Sequence, residues 1–479
     1  MATFRKNYLH YAIALVIGLL LYFLLPETNG LTHTGVKVIA ILVPVLYLWL
    51  TTNTHWTSIF ALGLLVMTGA MTANEVWAGS MGHFVVITII TYFMLNVCLK
   101  ETGVINKIAI FFITRKFVKG RPMAFFAMFF AAQLILGLFM DNMSLAIIFI
   151  GISEQICEEI GIEKGEPFYT AIFLGTLWCN VIYSITSPIA HALPNIIMGL
   201  AQSQLGVEIS YTGWLAVGVP ATVLMYIIIM ICMRIWHPKA DKFMEYDIEQ
   251  LKHKYPPLDV RGKFAAIIFI CVVLMILLPS FLKDAFPGMW GYWYNIGVVI
   301  PAILAIAILS IVNLKGKPVL DAPAALKQVP WPAVIFAGTV SVFATPLSSD
   351  VTGISTWLGN VLRPIFSDMP VILIIVILCL LAVLMTNFLS NTVTMVLFFN
   401  IGIVLFNQSQ YSMAAFTVLI ALASGLATCT PSAAVPSPLF FGPGYVTMKA
   451  TLKYNLLFVI LGVVVLLGVG MTLIPNVLP

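Results

Sequence analysis

Long apolar blocks alternate with short polar connectors along the whole chain. Blocks at 10–26, 36–52, 56–72 and 84–101 each approach the roughly 20 residues that a membrane-crossing helix needs. From 105 to 118 the pattern changes, with Lys107, Arg115 and Lys116 set among Ile and Phe. That pattern predicts a helix lying in the membrane interface. The block 122–152 is apolar but broken at Asp141-Asn142, and a charged exit from Glu154 to Glu166 follows it. The block 167–200 is interrupted between Thr186 and Pro194, and another runs over 213–234.

The second half gives blocks at 263–282, 293–313 and 331–347, then a short amphipathic piece at 352–362. The block 370–407 is broken at Ser390-Asn391-Thr392, 411–448 is interrupted between Thr428 and Pro438, and 454–475 closes the series. The order of parts therefore repeats: span, interfacial helix, broken segment, span interrupted by Ser and Pro, final span. Thr102-Gly103-Val104-Ile105 and Thr352-Gly353-Ile354-Ser355 mark the same point in each repeat. Asn142 lies 39 positions after Gly103, and Asn391 lies 38 after Gly353. Polar breaks at membrane depth, in corresponding places of two halves, point to a secondary transporter.

Composition supports a membrane protein, with 61% hydrophobic and 9% charged residues against roughly 25% charged in globular proteins. The seven cysteines have no metal-type spacing and read as core packing. Met1–Pro26 has a basic start and an apolar run but no small-residue cleavage site, so it is expected to be a retained first helix.

Basic residues set the expected orientation. Arg5 and Lys6 place the N-terminus in the cytoplasm. The polar connector 236–262 carries Lys239, Lys242, Lys252, Lys254 and Arg261, and the next loop carries Lys315, Lys317 and Lys327. Crossings between these loops balance only if 122–152 and 370–407 each enter and leave by one face. The expectation is an all-α integral membrane protein of two inverted-topology repeats, with re-entrant hairpins and interrupted helices in about 11 spans. Its parts are N-terminal spans over 1–53, a first repeat over 54–235, the connector and a second repeat over 263–479. A multi-pass protein of the cell (inner) membrane is implied.

A re-entrant tip presents free helix ends at mid-bilayer: carbonyl and hydroxyl oxygens suit sodium, and amides suit an anion. Single Asn or Ser residues in membrane helices often only hydrogen-bond a neighbour, yet two tips, each followed by a Ser/Thr/Pro break, argue for a site. Asp141 has three roles open to it: sodium ligand, proton carrier, or cap of the second hairpin helix. His191, in the first break, could contact substrate, relay a proton or merely hold a helix end. Paired catalytic carboxylates, His-x-x-x-His and Gly-x-Ser-x-Gly are not seen in the apolar segments, so an enzyme is disfavoured. A channel fits an inverted repeat with closed hairpins poorly. No nucleic-acid partner or organic cofactor is expected.

Leu389-Ser390-Asn391-Thr392 resembles the second hairpin motif of the divalent anion:sodium symporter family of the ion transporter superfamily, and Thr386 agrees with that family's second sodium site. The resemblance implies a homodimer in which a body carrying hairpins and broken spans moves as an elevator against a scaffold. The helices at 105–118 and 352–362 would be its arms. It implies substrate contacts from Asn142, Ser144, Ser187, Pro188, Asn391, Thr392, Thr430 and Pro431. Sodium would be held by Asp141, Asn142 and Ala190 at one site, and by Thr386, Leu389, Ser390, Asn391 and Ala433 at the other.

The first motif departs from the family. It reads Asp141-Asn142-Met143 in place of Ser-Asn-Thr, and Gly137 stands where a ligating hydroxyl is expected. An Asp-Asn pair at a tip resembles the arsenite-efflux and sodium/proton antiporter branches. The expected function is sodium-coupled symport of a small anion such as a di- or tricarboxylate or sulfate. Antiport of sodium against protons, or arsenite efflux, is the alternative.

Overall fold

The structure, a computed structural model, describes residues 2–52, 55–189, 191–251, 257–282, 285–297, 299–366, 369–388, 391–406, 411–430, 433–434, 436–441 and 443–477. In chain order the first half holds α1 (Ala2–Leu24), α2 (His33–Thr51), α3 (His55–Met67), α4 (Ala73–Gly79), α5 (Phe84–Glu101) and α6 (Val104–Ile113). It continues through α7 (Pro122–Gly137), α8 (Asn142–Ile160), α9 (Pro167–Thr186), α10 (Ala192–Leu205) and α11 (Tyr211–Trp236). The connector contains α12 (Asp241–Glu245).

The second half holds α13 (Val260–Leu282), α14 (Met289–Asn295), α15 (Val299–Ile311), α16 (Ala322–Gln328), α17 (Trp331–Ser348) and α18 (Ile354–Phe366). Then come α19 (Val371–Thr386), α20 (Asn391–Phe406), α21 (Met413–Ser424), α22 (Ser437–Phe441) and α23 (Met448–Val477). A two-residue antiparallel ladder, Asn313–Leu314 with Lys317–Pro318, is the sheet among the described residues. The architecture is helical, as the apolar periodicity predicts.

Among the described residues, five helices are long and apolar enough to cross a membrane by length and composition. The paired helices at each motif are shorter. The 16 residues of α7 and of α19 span about 24 Å each at 1.5 Å per residue, less than the roughly 30 Å of a hydrocarbon core. The first break falls between α9 and α10, at Ser187–His191. The second begins at Gly425, and its far side is only the five-residue α22.

The core sits around the leading halves of the two broken segments. From Phe168 to Thr186 only Thr170 is not fully buried, and every residue from Ala414 to Ser424 is buried. Helices apolar all round belong inside. Helices α7, α8 and α11 pack on α9, while α19, α20 and α23 pack on α21. The second break meets the last turn of α9: a Cβ on Gly425 would lie 2.4 Å from Ile185 Cγ2. A second group, α3, α5, α15 and α17, flanks this core and meets it at α10.

The repeated Thr-Gly signature has a backbone reason. Gly103 and Gly353 both adopt left-handed φ, +75° and +64°, at the entry to α6 and α18. That conformation favours glycine. At Gly353 a Cβ would also strike the Gly30 carbonyl oxygen at 1.8 Å.

The turn that carries Lys119, the connector and the loop after α15 share one end of the molecule. Lys119 pairs with Asp247 at 3.2 Å and Lys242 with Glu166 at 2.8 Å. Arg261 Nη2 donates to the Pro318 and Val319 carbonyls. The connector is not a loose strap: Phe243 is fully buried against Phe125 and Phe168, with centroids 4.7 and 5.3 Å away. Its charge density hid that aromatic anchor from the sequence reading. The charged exit likewise begins as helix, since α8 runs on to Ile160.

Candidate cation and anion site

At the first tip α7 ends at Gly137 and α8 begins at Asn142. Asp141 has extended backbone, and its Oδ1 accepts the Ser144 N–H at 2.8 Å. This is the capping role. Its other oxygen, Oδ2, is buried without a hydrogen-bond partner among the described residues. The Asn142 carbonyl accepts from Asn180 Nδ2 at 2.8 Å and from the Tyr183 hydroxyl at 3.4 Å. The ligating hydroxyl missing at Gly137 has a steric cause, because a Cβ there would lie 2.2 Å from Tyr183 Cγ. Tyr183 occupies that space.

The first break is tied to this tip. His191, buried, places Nε2 2.7 Å from the Gly137 carbonyl oxygen, which is the helix-holding role among those open to it. Asn195 Nδ2 donates to the Pro188 and His191 carbonyls, both at 2.6 Å, and its Oδ1 accepts from the Tyr211 hydroxyl. Ser187 Oγ accepts the Ile189 N–H at 3.0 Å. The structure therefore gathers Asp141, Asn142, Ser144, Ser187, Pro188 and His191 into one region. Ala190 lies outside the described residues.

The second tip is organised by a residue the motif reading passed over. Asn387 Nδ2 donates to the Val383 and Leu426 carbonyls, at 2.7 and 2.9 Å. Its Oδ1 accepts the N–H groups of Thr428 and Cys429, each at 2.9 Å. Its carbonyl accepts from Thr430 Oγ1 at 2.5 Å. Thr386 Oγ1 donates to the Ser424 carbonyl at 2.5 Å. Asn391 is the first residue of α20, and its Oδ1 accepts the Thr392 N–H at 2.9 Å. Ala433, fully buried, donates its N–H to the Thr430 carbonyl at 3.2 Å. Leu389, Ser390 and Pro431 lie outside the described residues.

The donor set is one of oxygens. The buried oxygens without a hydrogen-bond partner include Asp141 Oδ2, Thr394 Oγ1 and Ser424 Oγ. Orphaned oxygens at membrane depth, beside free helix ends, fit a hard cation. Among the described residues no group of three or more His, Cys, Asp and Glu side chains could hold a metal ion. Sequence reasoning missed Asn180, Tyr183, Asn195, Asn387, Ser424 and Asn455. The available signal was their polarity inside apolar helices.

Two polar breaks closed by hairpin tips, in a largely helical apolar chain, define a multi-pass membrane transporter. The chain belongs to the sodium:sulfate symporter family, whose transmembrane-region model matches residues 5–477. It is 25% identical to a sodium-dependent dicarboxylate transporter, SdcS, of Staphylococcus saprophyticus, over 97% of this chain and 92% of that protein. SdcS of Staphylococcus aureus strain USA300 is 22% identical over 91% of this chain and 86% of its own. The human Na(+)/dicarboxylate cotransporter 3 is 26% identical over 42% of this chain and 36% of its own.

Proposed function

We propose that the protein is a sodium-coupled symporter of a small anion, of the di- or tricarboxylate or sulfate class. The observation that carries this reading is the closure of each hairpin tip on its own broken segment, through His191 and Gly137 in one repeat and Asn387 and Thr430 in the other. Such closures gather free helix termini and unpaired oxygens where lipid supplies no water. The family and the relatives' sodium dependence support the coupling ion.

The site assignment follows the same geometry. Asp141, Asn142 and the backbone of the first break form one sodium site. Thr386, Asn391 and the backbone of the second break form the other, with Ser424 added. The anion sits between the tips, against Ser144, Thr392, Thr430 and helix N-terminal amides. The inverted topology is supported by the turn at Lys119, the connector and the loop after α15 meeting at one end. The elevator reading is supported by the packing of α7, α8, α9 and α11 together with α19, α20, α21 and α23, with α10 lying between them and α5 and α17, and a homodimer by the family pattern.

Exchange against protons is the second reading, and the unpartnered Asp141 Oδ2 favours it. Uptake of labelled succinate or sulfate into vesicles, with and without a sodium gradient and across pH, separates the two. A symporter accumulates anion only with inward sodium, and Asp141→Asn keeps residual uptake. Loss of all pH-dependent exchange in that variant, with no sodium-driven uptake in the parent, would make the protein an antiporter.

A further inference from the structure

A cavity of about 530 Å³ opens where α10 meets α11, facing α13, α14 and α15. Its wall residues cluster at helix ends: Phe84 begins α5, Tyr211 begins α11, Gln202 lies in the last turn of α10 and Pro279 in the last turn of α13. The lining is mainly aliphatic and aromatic, and Trp293 adds a third aromatic to Phe84 and Tyr211. Glu208 is its single charged residue. That carboxylate is exposed and has no ion pair or hydrogen bond among the described residues. The size and the mix of apolar walls with one placed charge are those of a ligand site. Aromatic residues at helix ends mark the membrane–water boundary.

The cavity reaches the transport site by a short polar path. Tyr211, buried, donates its hydroxyl to Asn195, and the Asn195 amide holds the Pro188 and His191 carbonyls of the first break. The facing wall includes α15 together with Phe84 and Ile87 of α5, which belong to the other group of helices, while α13 packs on both α5 and α11. Anything filling the cavity therefore touches both groups at once.

We propose that this cavity is a lipid-regulatory site that seats the ammonium headgroup of an aminophospholipid against Glu208, with an acyl chain along Met198, Met275 and Ile303. Its occupancy slows the movement of α10–α11 against α13–α15. The charge selects the ligand: a lone carboxylate repels an anionic headgroup and offers a neutral one nothing, whereas an ammonium gains an ion pair and aromatic faces. The slowing, but not the binding, rests on the elevator reading above.

The purified full-length protein is melted in an uncharged detergent with phosphatidylethanolamine, with N-acetylated phosphatidylethanolamine, which lacks the ammonium, and with phosphatidylglycerol. A saturable rise in midpoint is expected with phosphatidylethanolamine alone. It should vanish in Glu208→Gln and persist in Glu208→Asp. An equal rise with the N-acetylated lipid, or in Glu208→Gln, overturns the site. So does cross-linking of cysteines placed at Trp293 in two copies, which would mean that a second protomer fills the cavity. In phosphatidylglycerol vesicles, adding phosphatidylethanolamine should lower the maximal uptake rate at least two-fold with substrate KM unchanged. Glu208→Gln should not respond. A lipid-dependent melt without any rate effect overturns the regulation. Sodium-driven uptake in phosphatidylglycerol alone tests the transport assignment separately.

Discussion

Trp178 on α9 donates its indole N–H to Asn455 Oδ1 on α23 at 2.8 Å. The same amide gives its Nδ2 to Thr428 Oγ1 at 2.7 Å and to Cys429 Sγ at 3.0 Å. One buried side chain thus joins the first broken segment, the last helix and the second break. The Trp178 ring also stacks on Phe458 with centroids 4.6 Å apart. In a bilayer no water replaces these bonds, so the triangle holds the two breaks as one body.

Asn455→Leu leaves the Trp178 N–H and the Thr428 hydroxyl facing an apolar group, at about 1–3 kcal/mol for each buried polar group stranded. The sodium half-saturation for uptake should rise about ten-fold, equivalent to about 1.4 kcal/mol, with substrate KM at saturating sodium little changed. Asn455→Asp keeps the acceptor for Trp178 and loses the donor, so its shift should be intermediate. An unmoved sodium curve in a well-folded Asn455→Leu protein would limit the residue to packing.

Asn142→Ala and Asn391→Ala should each abolish sodium-driven uptake while expression and thermal stability persist. Both are the first residues of helices that start at a tip, so truncation leaves the helix body intact. Near-normal uptake by either variant removes that residue from the site.

Gly137→Ala should be severe although the change is one methyl group. Its Cβ would meet the Tyr183 ring at 2.2 Å, and overpacking costs typically about 1–3 kcal/mol, more where nothing can yield. Tyr183→Gly in the same chain, which removes the ring together with the Cβ that would lie 2.3 Å away, should recover part of the lost thermal stability. No recovery in the double variant would place the damage elsewhere.

The connector's ion pair gives a pH dependence outside the membrane. Glu166 Oε1 accepts the Glu163 N–H and meets Lys242 Nζ, each at 2.8 Å. The backbone N–H first, and Lys242 second, hold this carboxyl below the usual carboxylate range. A depressed folded pKa contributes stability that is present above the unfolded value and lost as pH falls through the folded one. Lys242→Met should therefore melt slightly below the parent at neutral pH. The gap should close as pH drops below the usual carboxylate range. The effect is small because the pair is exposed, and a gap that widens in acid would contradict it.

The sequence by itself determined the class of protein and the positions of its breaks. Apolar blocks fix helices because lipid leaves backbone groups no other partner. Asp141-Asn142 and Ser390-Asn391-Thr392 announce themselves because polar residues are rare at that depth. The glycines at 103 and 353 were visible as a repeated signature, and their left-handed φ supplies the reason.

Tertiary structure decided which polar residues meet. Asn387 and Asn455 each read as one isolated amide in an apolar helix, and a pattern of periods cannot reveal a partner 39 or 277 positions away. It also decided that Asp141 caps α8 with one oxygen and leaves the other unpaired, and that Tyr183 takes the space beside Gly137. Local propensity sets where a helix starts and stops. Which side chains fill the gap between two stops depends on how the broken segments pack, and that is a long-range property of the fold.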